Sequence, residues 1–158
     1  MFIKPLRIIA VGKLRLDFWR TASAYYLERL SRWRNITETI IRDAPAGLAS
    51  DQRAMVESLR IAEALSKEDV PVCLDEKGIN MDSRSFSRFL ADLSSNSSAR
   101  PCFIVGGPYG LRRPALERCR YCISFGRQTL PHEMARVLLL EQLYRAETIS
   151  RNIPYHHD

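Results

Sequence analysis

Of the 24 basic residues in this 158-residue chain only Lys4, Lys13, Lys67 and Lys77 are lysines; all the others are arginines. No apolar stretch approaches the ~18–20 residues of a membrane span, so a helical anchor is not expected. The short apolar N-terminus, Met1 to Leu6, is not followed by a small-residue cleavage site, so the chain reads as cytoplasmic and not secreted. No G-x-G-x-x-G follows the first apolar run, which argues against a nucleotide-dependent oxidoreductase. The cysteines are Cys73, Cys102, Cys119 and Cys122. Only the last two have C-x-x-C spacing, and neither a second pair nor a spaced histidine pair completes a zinc site, so no metal is expected. Reduced, partly buried thiols fit a cytoplasmic chain better than a redox pair. No internal repeat is visible.

A hydrophobic share of 46% beside 27% charged residues is the balance of a folded chain, and the length suits a single domain over residues 1–158. The formal net charge is +6. Arginine grips phosphate through a planar fork and stacks on bases, so the excess fits a nucleic-acid partner. The arginine bias of a GC-rich genome fits it equally, and composition does not separate the two.

Periodicity divides the chain into alternating strands and helices. Residues 6–11 read as a buried strand. A helix starts near Asp17, which would cap it, and carries Phe18, Trp19, Ala22, Tyr25, Tyr26, Leu30 and Trp33 at helical spacing. That stripe is read as a core face with a solvated arginine-bearing back. Residues 36–42 suit a second strand and 51–67 a second helix. Val70 to Leu74 is a short third strand ended by a turn at Asp75-Glu-Lys-Gly78. A helix over 83–93, capped by Asp82 or Ser83, leads through a polar loop at 94–98 to a strand at 102–105. A short helix over 114–119 and a strand at 121–125 follow. Pro131 opens the longest helix, to about Ser150, apolar on more than one face. That breadth suggests burial against both its own sheet and a second subunit. The alternation gives an α/β domain with a largely parallel sheet.

Open α/β sheets bind ligands beyond the carboxyl ends of their strands. Three such ends stand out: Leu74 before Asp75, Val105 before Gly106-Gly107, and Phe125 before Gly126. Paired glycines let a ligand approach the backbone closely, although any tight strand-to-helix turn also uses them.

Six segments carry a resemblance: Ala10 to Leu14, Phe103 to Leu111, Thr129 to His132, Arg136, Glu141 to Ala146, and Pro154-Tyr-His156, in this order. Together they resemble the RlmH (YbeA-like) family of SPOUT methyltransferases over essentially the whole chain. The resemblance implies S-adenosylmethionine-dependent methylation of N3 of a pseudouridine in 23S rRNA. It also implies a C-terminal deep trefoil knot, which no base rate would suggest. Residue by residue, it implies a cofactor site at Leu74, Gly106, Phe125, Gly126, Arg127, Gln128, Thr129 and Leu130. A homodimer is implied, with the tail of one subunit near the cofactor of the other, and the ribosome as partner. The family usually has serine at position 126 and a basic residue at 157, where this chain has Gly126 and His157.

Methyl transfer to a ring nitrogen is an in-line displacement, so alignment dominates, and the weakly acidic N3–H must lose its proton. Tyr155 and His156 are the candidate catalytic residues, as general base. His132 is read as a cofactor-loop or structural residue, and Arg145 either as a surface residue or as a partner for phosphate or a tail carboxylate. A noncatalytic RNA- or ribosome-binding protein of the same fold is the alternative, separated by whether adenosylmethionine binds.

Overall fold

β1 (Leu6–Val11) is apolar at five of its six positions because both of its faces are covered, as in parallel sheets generally. The structure, a computed structural model, describes residues 4–95 and 98–157. Asn96 and Ser97 of the expected polar loop, Asp158 of the tail and Met1 to Ile3 of the N-terminal run lie outside the described residues. The remaining elements are α1 (Asp17–Ser31), β2 (Ile36–Ile41), α2 (Ser50–Ala64), β3 (Asp69–Asn80), α3 (Ser83–Ser95), β4 (Arg100–Val105), α4 (Arg113–Leu116), β5 (Tyr121–Ser124) and α5 (His132–Ser150). All strand pairs are parallel, in the order β2-β1-β4-β3-β5.

Strand side chains alternate between two layers. Leu6, Ile8, Val72 and Phe103 face Leu30, Leu90 and Leu143 on one side. Ile9, Cys73, Cys102 and Ile104 face Ile61, Leu65 and Ala115 on the other. Helices α1, α3 and α5 therefore cover one face, and α2 and α4 the other.

Three local expectations need correction. Asp17 is the first helical residue and not the cap: Leu16 holds the cap position, without a side-chain bond, and Asp17 pairs with Arg20. The aromatic stripe of α1 splits into two rows. Leu30 is buried and Tyr26, Leu27 and Trp33 pack on the core, but Phe18 is 59% and Tyr25 47% exposed. The two rows lie about 100° apart on the helix, so one neighbour cannot cover both. The turn expected at 75–78 lies inside β3 as an extruded segment: Leu74 and Ile79 both register with Ile123. The apolar breadth of α5 is met largely inside the chain, by helices as well as the sheet, with Met134 left exposed. Leu139, Leu140 and Leu143 are fully buried by the sheet, α1 and α3 of the same chain.

α5 ends in a Schellman turn. Ile153 N–H donates to Thr148 O at 2.9 Å and Asn152 N–H to Ile149 O at 3.2 Å, with Asn152 at φ 53°. Asparagine tolerates this left-handed conformation, and Pro154 forbids further helix. The tail is thereby turned back along α5.

Candidate functional site

The extruded segment after Leu74, the glycine loop after Val105 and the loop after Ser124 meet around one cleft of about 600 Å³. Leu74, Gly106, Phe125, Gly126, Gln128, Thr129 and Leu130 line it; Arg127 does not and is exposed. His132, the first residue of α5, also lines this cleft.

Each wall has a local cause. Gly110 N–H closes a turn onto Gly107 O at 3.0 Å, and Gly110 has φ 74°, which favours glycine. A Cβ on Gly106 would stand 3.0 Å from Leu111 Cδ2 and 3.2 Å from the Gly110 carbonyl carbon, so a side chain there displaces its own loop. Gly126 has φ 134° with its backbone tied at both ends to Ser124 Oγ, which accepts from Gly126 N–H at 3.0 Å and donates to Gly126 O at 2.7 Å. The serine usual in the family at this position would be strained in such a backbone. Thr129 Oγ1 donates to Glu76 Oε2 at 3.1 Å and joins the third wall to the first. The start of α5 is then fixed across the sheet: Glu133 Oε2 accepts Arg15 N–H at 2.8 Å, and Arg136 donates to Glu38 at 2.8 Å.

The tail lies elsewhere. Tyr155 Oη donates to Glu141 Oε1 at 3.1 Å, and its ring packs edge-on to Tyr144 at 4.7 Å. Burial, then hydrogen bonding with Tyr26 and the nearby Glu141 carboxylate, raises the Tyr155 pKa, so the hydroxyl stays protonated and anchors the tail. Arg145 binds Glu141 through Nε at 3.0 Å and Nη2 at 2.5 Å, and its Nη1 donates to His156 Nδ1 at 3.2 Å. Arginine only donates, so His156 accepts at Nδ1 and a neutral ring carries its proton on Nε2. His156 does not line the glycine-loop cleft of its own chain. It borders a second cleft, with Asn80, Met81, Leu138 and Gln142, whose wall shares Phe125 with the first. The sequence reading gave Glu141 no role, although its i,i+4 spacing to Arg145 on one helix face was the available signal.

The thiols do not make a second site. Burial pushes the Cys122 thiol up to about 12, with the Cys73 thiol adding to the effect, and burial raises Cys102 likewise to about 12. Hydrogen bonding with Cys119 and then burial raise Cys73 as well. Thiol reagents at about pH 8 will therefore modify Cys122 far more slowly than an ordinary cysteine, whose pKa is ~8.5; a rate equal to free thiol would contradict this environment. Among the described residues no group of three or more His, Cys, Asp or Glu is arranged to hold a metal ion, and no helix is long and apolar enough to cross a membrane.

Comparison with known proteins agrees with this architecture. A family model described as "Predicted SPOUT methyltransferase" matches residues 5–156. Ribosomal RNA large subunit methyltransferase H of Lawsonia intracellularis is 50% identical over 157 residues, covering 99% of this chain and 100% of that protein. The protein of the same name from Nitratidesulfovibrio vulgaris strain DP4 is 46% identical over 156 residues, with 99% and 100% coverage. In fold, the chain is similar to a crystal structure of ribosomal RNA small subunit methyltransferase E from Neisseria gonorrhoeae bound to S-adenosyl methionine. There the TM-score is 0.51 at 12% identity, over 92% of this chain and 67% of that one. On a match from the first strand to the tail, this chain belongs to the SPOUT methyltransferase family.

Proposed function

We propose that the protein is an S-adenosylmethionine-dependent methyltransferase that methylates N3 of a pseudouridine in 23S rRNA, acting in the cytoplasm on the large ribosomal subunit. The observation that carries this reading is the meeting of three strand-end loops around one cleft in a chain whose full-length relatives are named as large-subunit rRNA methyltransferases. The residues fit the methyl donor. The volume suits a ligand of that size, the glycine loop lets a ligand approach its backbone closely, and Leu74, Leu130 and Phe125 supply apolar walls for a purine. Leu74, Gly106, Phe125, Gly126 and residues 128–130 would hold it, and when bound it supplies an already activated sulfonium methyl group.

The acceptor side is assigned to the tail, working on the cleft of a partner in a homodimer. In support, His156 stays outside its own glycine-loop cleft, while Met134 and Ile153, at opposite ends of α5, leave apolar side chains exposed. Tyr155 anchors the tail to Glu141. His156, held at Nδ1 by Arg145, presents Nε2–H to a carbonyl oxygen of the target base, which eases loss of the N3 proton to water and orients N3 toward the methyl group as that group leaves its sulfonium. The proposal includes a trefoil knot: the segment 125–131 leaves edge strand β5 and crosses the ends of β3 and β4 before α5 is fastened beside β1 and β2. The arginines supply phosphate contacts, so rRNA affinity will fall steeply as salt rises.

Calorimetry with adenosylmethionine tests the donor side. The wild type will bind it without added metal, and Gly106→Val will abolish binding by pushing Leu111 and the Gly110 backbone out of place. Mutant binding equal to wild type would move the site elsewhere. Light scattering at micromolar concentration will give a dimer; a monomer would remove the shared-site reading.

A further inference from the structure

The glycine loop is gripped from behind by α2. Glu57 is 1% exposed, and its Oε1 accepts Ala44 N–H at 3.0 Å. Its other oxygen, Oε2, is buried with no hydrogen-bond partner among the described residues. One residue on, the fully buried Ser58 Oγ accepts Arg112 N–H at 2.8 Å. A turn earlier, the Arg53 guanidinium lies over the Tyr109 ring at 5.2 Å. Three consecutive parts of the loop, at 107, 109 and 112, are thus held by one face of one helix.

Gly107 shows what Glu57 is for. It is not among the positive-φ glycines, so its backbone suits any residue. A Cβ there would stand 2.5 Å from Glu57 Oε2 and 3.1 Å from Val11 Cγ1, so a side chain at this position requires Glu57 to move. Burying a carboxylate oxygen without a partner is costly, and a leucine would fill the same volume against the sheet without that cost. The orphaned oxygen rests on the loop that lines the cleft.

We propose that Glu57 is a positioning residue: pinned by Ala44 at one oxygen, it braces the Gly107 peptide with the other and fixes the loop in its ligand-ready shape. The proposal rests on the reading of this cleft as the methyl-donor site. A loop held in shape before binding spends no affinity on ordering itself. The brace acts through contact, so an amide of equal volume replaces it.

The test is a double-mutant cycle read by adenosylmethionine calorimetry, with thermal melting of every variant. Glu57→Ala will weaken binding about tenfold, and Gly107→Ala by about as much or more, through the clash. In the Glu57→Ala background, Gly107→Ala will cost less than about threefold, because the atom it collides with is gone. Glu57→Gln will keep affinity within about threefold of wild type and melt no lower. In methylation assays Glu57→Ala will raise KM for adenosylmethionine and leave KM for rRNA unchanged, a split that general destabilisation does not produce. Equal cost of Gly107→Ala in both backgrounds, or Glu57→Gln as weak as Glu57→Ala, overturns the brace while the donor site stands. A wild type that binds no adenosylmethionine overturns the donor site and the brace with it.

Discussion

Deleting Tyr155 to Asp158 will cut methylation of ribosomal substrate by about 10²–10⁴-fold, the range lost with one positioned proton-handling or orienting group, while adenosylmethionine affinity changes little. The two effects separate because the tail is built on a different framework from the cleft. Tyr155 rests on Glu141 and Tyr144, and His156 on Arg145, all on α5. The walls of the cleft come from the strand ends. Equal losses in binding and turnover would put the tail in the donor site instead.

His156→Ala will reproduce part of the defect, and its pH profile reports the chemistry. A base that removes the N3 proton becomes dispensable as solvent takes over at high pH, so mutant and wild-type rates would converge between about pH 7 and 9. With Nδ1 occupied by Arg145, His156 is a donor, and the ratio of the two rates will stay constant across that window. Convergence would return the base role to the ring. A mixed dimer tests the sharing of the site directly. A tail-deleted subunit paired with a Gly106→Val subunit contains one intact cleft opposite one intact tail, so activity will return once subunits exchange. Confirmed exchange without activity would place the tail in its own subunit's site.

How much of this was legible in the sequence differs by element. The strands and their largely parallel direction followed from buried apolar runs alternating with helical periods, because a fully covered sheet leaves that signature, whereas the order of the strands did not. The cleft followed from the same logic, since the ends of the buried strands must open together on one edge of the sheet. Contacts between distant residues were not legible. Glu57 falls among polar helix residues in the sequence, and only packing reveals it as buried beneath Gly107. The breadth of α5 is legible only as an amount: an apolar pattern states how much surface must be covered, not which neighbour covers it, and α1 and α3 share the task with the sheet while Met134 stays exposed. For the tail, Asn152 and Pro154 did signal a stop, but the direction of the chain beyond it depends on Glu141, Tyr144 and Arg145.

Gly78 makes the same point with a larger expected effect. In the sequence it closes an apparent turn; in the fold it lies in β3 against the backbone of β5. A Cβ there would stand 2.5 Å from the Ile123 carbonyl carbon, 2.6 Å from its oxygen and 2.7 Å from its nitrogen. A flexible side chain can move aside, but three backbone atoms of a paired strand move only with the strand. Ile123 registers with Leu74 and Ile79 on either side of the extruded segment, so any shift opens the β3–β5 pairing and carries Asp75 to Lys77 away from the cleft. Overpacking in a close-packed interior costs about 1–3 kcal/mol and more where backbone is displaced. For a chain of this size, each kcal/mol lowers the melting temperature by about 2–4 °C. Gly78→Ala will therefore melt about 10 °C lower and lose adenosylmethionine affinity by more than about tenfold. Gly47→Ala serves as the control, because nothing lies within 4 Å of the added methyl group. With an ordinary φ at that site, alanine restricts the unfolded chain, and Gly47→Ala will melt at or slightly above the wild type. A Gly78→Ala protein that melts with the control and binds as tightly would show that the two strands have room to part without moving the cleft.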